Sequence, residues 1–193
     1  MKIEERMDLL KKKIQEPRFL QMKGLGNEVP FYIFDYPAEK ELLIRETVEK
    51  IVVSFKKKDI KILEINLYDL CLEILQKRIP FEKIADFEKR KGSEHLLEKL
   101  RPMLKIDLLN NEIISRLEKD NYNMVFLTGV GNAWPLIRSH KILNNLQTVM
   151  KHIPLIVFYP GKYTKYDFSL FDRFKDTNYY RAFRLIDYVE GVN

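Results

Sequence analysis

Apolar residues along the chain alternate between two rhythms. Ile3, Met7, Leu10 and Ile14 fall on one helical face with charges between them, and Pro17 ends the pattern. Gly24-Leu25-Gly26-Asn27 reads as a turn before Val29 to Asp35, a block of strand formers in which Pro30 fits only at the start. Pro37 suits a first helical position, and Leu42, Leu43, Val48, Ile51, Val52 and Phe55 carry a helix to Lys56-Lys57-Lys58, whose charges match its negative end. Ile60 to Leu67 alternates apolar and polar residues, which predicts a second strand nearer a sheet edge. A helix follows over Leu70 to Lys77. From Pro80 to Lys119 the spacing stays helical, with breaks at Lys91-Gly92-Ser93 and Pro102, so two or three helices are expected, with Ser93 as a cap.

Residues 122 to 161 organise the rest. Met124-Val125-Phe126-Leu127-Thr128 predicts a strand that Gly129-Val130-Gly131-Asn132 stops. Trp134, Ile137, Leu143, Leu146 and Met150 recur close to helical spacing, so a helix is expected directly after the turn, capped by Asn132 and holding Pro135 in its first turn. Ile153 to Tyr159 is a second apolar run closed by Pro160-Gly161, and its lack of alternation predicts burial on both faces. Together these make a βαβ unit, expected to be right-handed, with the Gly129 turn at the carboxyl end of its strand. The fold class is therefore α/β: a three-layer, mostly parallel sheet flanked by helices, like a P-loop-type fold without a Walker motif. A single domain over 1–193 with a helical insertion around 70–119 accounts for the whole pattern.

Composition narrows this little. An apolar content of 46% with only 7 glycines excludes a disordered or low-complexity chain. The net charge of +6 permits an acidic partner without selecting one, because carboxylates are spread almost as widely as lysines. Cys71 stands alone, which excludes an internal disulfide and a zinc finger. No apolar run approaches membrane-spanning length and the charged N-terminus is not a secretory leader, so a cytoplasmic protein without a membrane role is expected.

The motif search is mostly negative. No segment supplies the glycines, lysine and hydroxyl of a phosphate loop, and Gly129-x-Gly131 places Trp134 where a dinucleotide fingerprint needs a third glycine. No G-x-S-x-G elbow is present, and His95, His140 and His152 are too scattered to read as metal ligands. Neither a cofactor nor a metal is therefore expected. Thr128, Gly129, Gly131, Asn132 and Trp134 could bare amides to an anion, though a tight βα turn is the stronger reading. Arg138 and His140 follow in the helix, and a structural histidine is the stronger reading for His140. Asp35, Glu64 and Asp69 lie at strand ends, where acids more often cap than catalyse. The tail interleaves Tyr163, Tyr166, Phe168, Phe171, Phe174, Tyr179, Tyr180, Phe183 and Tyr188 with Lys162, Lys165, Arg173, Lys175, Arg181 and Arg184. Such a composition serves a core cover, a protein interface or, behind these, single-stranded nucleic acid. Tyr180 to Ile186 reads equally as a strand or a short helix.

Several runs carry a resemblance. Phe31-Tyr32-Ile33-Phe34-Asp35-Tyr36, Phe126-Leu127-Thr128-Gly129-Val130-Gly131, Trp134-Pro135-Leu136-Ile137-Arg138-Ser139-His140, Leu143-Asn144-Asn145-Leu146-Gln147, Phe158-Tyr159-Pro160-Gly161 and Asp176 to Leu185 resemble the BrxB family of the BREX bacteriophage-defence systems. Glu4-Glu5-Arg6 and Gly24-Leu25-Gly26-Asn27 agree, so the resemblance spans nearly the whole chain. It implies a small component of a multi-protein system, alongside a methyltransferase, a large ATPase and the phosphatase-like PglZ, and it transfers no catalytic residue. The expectation is a non-catalytic assembly subunit that binds PglZ or other BREX components through the strand-end surface near Gly129 to His140 and through Asn178, Tyr179, Tyr180, Arg181 and Arg184. The rival readings are a nucleic-acid-binding accessory subunit using the basic aromatic tail, and an enzyme at the Gly129 turn. Weak or indirect contact with DNA and homo-oligomer formation stay open.

Overall fold

The computed structural model describes residues 1–23, 30–150, 152–164, 167–176 and 182–186. In chain order it runs α1 (Ile3–Lys13), α2 (Pro17–Leu20), β1 (Phe31–Tyr36), α3 (Glu41–Lys56), β2 (Ile62–Asn66), α4 (Leu67–Gln76), α5 (Phe81–Lys91), α6 (Ser93–Leu100), α7 (Ile106–Leu117), β3 (Met124–Thr128), α8 (Val130–Ala133), α9 (Ser139–Val149), β4 (Leu155–Tyr163), β5 (Phe168–Leu170), β6 (Phe174–Asp176) and β7 (Phe183–Arg184). Single 3-10 turns precede α3 and α7. The predicted turn at 24–27 lies outside the described residues.

The apolar run with no alternation becomes the middle of the sheet. β4 lies between β3 and β1, and the order β2-β3-β4-β1-β7 is parallel throughout. β2, which does alternate, sits at the edge with its Leu63, Glu64 and Asn66 only half-buried. The architecture is thus the expected α/β arrangement of helices on both faces of a mostly parallel sheet. One face carries Tyr32, Phe34, Phe126, Ile156 and Phe158 against α1 and α3. Ring centroids there lie 5.6 Å apart for Phe34 and Phe158, a tilted pair, and 5.1 Å for Phe126 and Phe158, an edge-to-face pair, so an aromatic row crosses three strands. The other face packs Val125, Leu127, Leu155, Val157 and Tyr159 under α4, α7, α8 and α9.

Four expectations need correction. The helix after β3 does not start at the turn: α8 is a single turn, the chain breaks through a cis Trp134-Pro135 bond, and α9 begins only at Ser139. Asn132 is therefore an exposed residue inside α8 and caps nothing, while Arg138 holds the cap position of α9. Ser93 is the first residue of α6 and donates its hydroxyl to Glu88, leaving Gly92 as the cap. The buried stripe of α3 is Ile44, Val48, Ile51 and Phe55, at steps of four, three and four; Leu42 is out of phase and 71% exposed. Finally, Pro160-Gly161 does not close β4. The tail alternative resolves to a strand over Phe183 and Arg184, pairing with Tyr32 and Ile33 of β1.

β4 runs through Pro160 because that proline's carbonyl remains usable, accepting from the Phe171 amide at 2.9 Å. Gly161, at φ +143°, then lets β5 approach so closely that a Cβ on it would lie 2.1 Å from the Ser169 carbonyl oxygen. The strand end thereby swings from the parallel sheet into an antiparallel pairing, Gly161 to Tyr163 against Phe168 to Leu170. Gly92 shares a positive φ of +84° but has nothing within 4 Å of a built Cβ. Gly161→Ala should therefore lower the melting temperature by about 4–8 °C, from strain and displacement together on the order of 2 kcal/mol, and more than Gly92→Ala does. Equal losses in differential scanning calorimetry would refute the close approach.

Candidate functional site

Open α/β sheets hold ligands at the carboxyl ends of adjacent strands whose outgoing connections leave to opposite faces. Here β1 and β4 meet that condition. β1 continues through α3 on one face, whereas β4 continues through β5, whose Phe168 and Leu170 belong to the core of the other face. The crevice between them is filled by the chain itself. Asp35, the fifth residue of β1, has no exposed surface. Its Oδ1 accepts from Arg6 Nη2 at 3.0 Å, and its Oδ2 accepts from the Tyr163 amide at 3.0 Å and from Arg184 Nη2 at 3.2 Å. Arg6, itself 1% exposed, also donates Nη1 to the Asp35 carbonyl at 2.6 Å and lies 4.7 Å above the Phe34 ring. Arg184 donates in addition to the Tyr163 carbonyl, and the Tyr163 hydroxyl donates to the Ala182 carbonyl at 2.7 Å.

Two further bonds tie the same knot to the N-terminal helix. Arg6 Nη2 reaches the Ile186 carbonyl at 3.4 Å and Lys13 Nζ reaches that of Leu185 at 2.8 Å. Arg184, expected on a partner surface, is thus half-buried and engaged with Asp35. Asn178, Tyr179, Tyr180 and Arg181 lie outside the described residues. Sequence reasoning missed Arg6, although its position three residues after Ile3 places it within the apolar stripe of α1 and was the available signal.

The Gly129 turn is the second strand-end feature, and it is packed from below and above. Gly129 adopts φ +66°, and a Cβ there would lie 2.0 Å from Asn66 Oδ1. That same oxygen accepts from the Tyr68 and Asp69 amides at the start of α4. A Cβ on Gly131 would lie 2.7 Å from Pro160 Cγ and 2.9 Å from Phe171 Cε1. Val130 and Gly131 are buried. The glycines serve contact between neighbouring elements, which is the tight-turn reading. Outside this plug Trp134 is half-buried, stacked on Phe174 at 4.3 Å between centroids and edge-on to Phe171 at 6.4 Å. Phe174 is 43% exposed, with exposed Arg173 and Lys175 beside it in sequence and exposed Arg138 four residues beyond Trp134. The side chain of His140 lies outside the described part.

Asp35 does not join Glu64 and Asp69. Asp35 and Glu64 stand on strands three places apart, about 14 Å at ordinary strand spacing. Glu64 Oε1 accepts from the Thr128 hydroxyl at 3.0 Å. Burial pushes the Glu64 carboxyl above its ordinary range; the Thr128 bond opposes this, the charges of Glu49 and Asp69 add to it, and Arg45 opposes it. Burial likewise raises the Cys71 thiol to about 12, and the Tyr36 hydroxyl is pushed up by burial and by Glu41, to which it donates. Among the described residues no group of three or more His, Cys, Asp or Glu is placed to hold a metal ion, and no helix is long and apolar enough to cross a membrane.

Comparison with known proteins agrees with the resemblance. Residues 63–185 match a family model described as BREX protein BrxB. A BREX protein BrxB from Bacillus cereus (strain H3081.97) is 42% identical over 191 residues, covering 96% of this chain and 98% of that protein. Another from Escherichia coli O9:H4 (strain HS) is 39% identical over 184 residues, covering 95% of this chain and 92% of its own. No solved structure matches.

Removing the buried carboxylate should be costly, since Asp35→Ala leaves a fully buried guanidinium without its counter-ion. A loss of about 3–5 kcal/mol is expected, and the double change Asp35→Ala with Arg6→Met should recover part of it. Chemical denaturation measures both; a single-variant loss below about 1 kcal/mol would contradict the plug. Glu64→Gln tests the raised carboxyl. A raised native pKa means stability falls as pH climbs from the ordinary Glu value, about 4, through the native one, and stays reduced above it. The glutamine variant should therefore melt higher than wild type at neutral pH, with the gain vanishing below that ordinary value. A pH-independent difference would show that the Glu64 charge is not penalised.

Proposed function

Because the chain belongs to the BrxB family of BREX proteins, we propose that it acts as a non-catalytic assembly subunit of the defence complex, docking a PglZ-type partner. The observation that carries this reading is the filled crevice: the position where sheets of this kind take a ligand is closed by Asp35, Arg6, Arg184 and Tyr163. A packed glycine turn beside it leaves the Trp134 and Phe174 stack as the outward feature of that edge. Stacked aromatic rings on a rigid base, flanked by arginine, are the residue types that dominate binding energy at protein interfaces. Both rings of the stack meet Phe171 edge-on, and the Phe171 amide donates to the Pro160 carbonyl of β4, so the stack is preorganised and loses little freedom on binding. The Asn178 to Arg181 stretch is proposed as a further part of the interface.

Phe174→Ala combined with Arg138→Glu changes two exposed side chains and should leave the melting temperature within about 2 °C of wild type. It should weaken co-purification with the PglZ-type protein by at least about tenfold in affinity, on the order of 1.4 kcal/mol, and lower protection against phage. Undiminished association in a folded variant would remove this surface from the interface. The nucleic-acid reading makes a different forecast for the same variant: loss of a salt-sensitive DNA gel shift with partner binding intact.

A further inference from the structure

The four helices between β2 and β3 contain a second surface that the sheet does not use. α5 has eleven residues and none of them is buried. Its apolar residues Phe81, Ile84 and Phe87 nevertheless follow one stripe, and Phe81 is 40% exposed. A free helix of this length is marginal in water, so an apolar stripe left half-covered marks one side of a contact. Between α5 and α6 lies a groove of about 570 Å³, floored by Ile84, Phe87, Leu96, Leu100 and Met103.

Charge around that groove selects its occupant. Lys83, Arg90 and Lys99 line it against one carboxylate, Asp86. Among the described residues none of these three cations forms an ion pair; Arg90 donates only to the Asp86 backbone carbonyl, at 3.2 Å. Two cations elsewhere on the helical layer are paired, Lys77 with Glu112 at 3.0 Å and Arg116 with Glu73. The groove therefore joins an apolar floor to a rim of three cations against one carboxylate.

We propose that the α5–α6 groove docks an amphipathic helix of a partner protein, apolar on the inserted face and acidic on its flanks. The dimension agrees: α5 is about 16 Å long at 1.5 Å per residue, enough for three turns carrying anchors at i, i+3 or i+4, and i+7. A second copy of this chain does not fit, because a two-fold contact across the groove would set Lys83, Arg90 and Lys99 against themselves. The surface is separate from the Trp134 stack and stands on its own residues. Either can fail while the other survives.

Three fluorescein-labelled peptides with one apolar face test the proposal by anisotropy on the full chain: glutamate flanks, lysine flanks, and the glutamate peptide scrambled. The acidic helix should bind at least about tenfold tighter than either other peptide, and Lys83→Glu with Lys99→Glu, both exposed positions, should reverse the preference between acidic and basic flanks by a similar factor. Hydrogen exchange should show α5 amides becoming protected when the acidic peptide is added and unchanged with the scrambled one. Equal binding of all three peptides, an affinity indifferent to the double reversal, or protection confined to the β5–β6 hairpin would overturn it. So would light scattering that shows the chain dimerising and the charge reversal abolishing that dimer, since the groove would then belong to a second copy.

Discussion

One buried carboxylate decides how the two ends of the chain meet the sheet. Asp35 has no exposed surface, and an ion in that position costs several kcal/mol unless partners replace its water. Arg6, Arg184 and the Tyr163 amide replace it, and they come from α1, β7 and the end of β4. Each of these elements is weak alone. β7 is two residues long, and β4 beyond Val157 has left the register of β3. Their positions follow from the need to satisfy one anion, whose geometry leaves little slack in any of the three directions.

Among the described residues, the same interaction fills the edge where a sheet of this kind usually opens. At the carboxyl edge of β1 and β4 the two outgoing connections part, which in an open sheet leaves a crevice. Here β4 does not turn away at its end. It continues through Pro160 and Gly161, brings Tyr163 over Asp35, and returns as β5. Phe171, at the turn after β5, then covers Gly131. A short antiparallel appendage has closed the edge with covalently attached residues in place of a bound molecule, and the Trp134 and Phe174 rings are what that closure presents outward.

Much of this was legible from residue order, for a physical reason. Burial on two faces forces a run without alternation, so residues 153–159 announced a central strand, and the alternation of 60–67 announced an edge. The Gly129 turn was legible as a turn because two glycines between a strand and a helix have few other uses. Three features were not. Pro160-Gly161 carries the local signature of a turn, and only the approach of the Ser169 carbonyl shows why a glycine was needed inside a strand. Ile137 and Trp134 fall near helical spacing, which concealed the break between α8 and α9. The Asp35 cluster joins residues up to 180 positions apart, and no local window can hold Arg6 and Ile186 together. Arg6 read as one more charge on a charged helix, although its phase on that helix placed it indoors.

A hydrogen bond links the two outward surfaces. Arg101, at the end of α6, donates Nε to the Pro135 carbonyl at 3.0 Å, which links the floor of the α5–α6 groove to the segment that carries Trp134. That bond is exposed, so its net strength is about 0.5–1.5 kcal/mol. Coupling between the surfaces through it is bounded by the same figure, at most about tenfold in affinity. A partner at the groove would thus adjust a partner at the stack only mildly. α8 follows β3 and β5 continues from β4, so the stack is carried by strands of the parallel core, whereas α5 packs chiefly on α6 and the groove rests on the helical layer. Two such proposed contacts on one chain would let it bridge two partners, which is what assembling a larger complex requires.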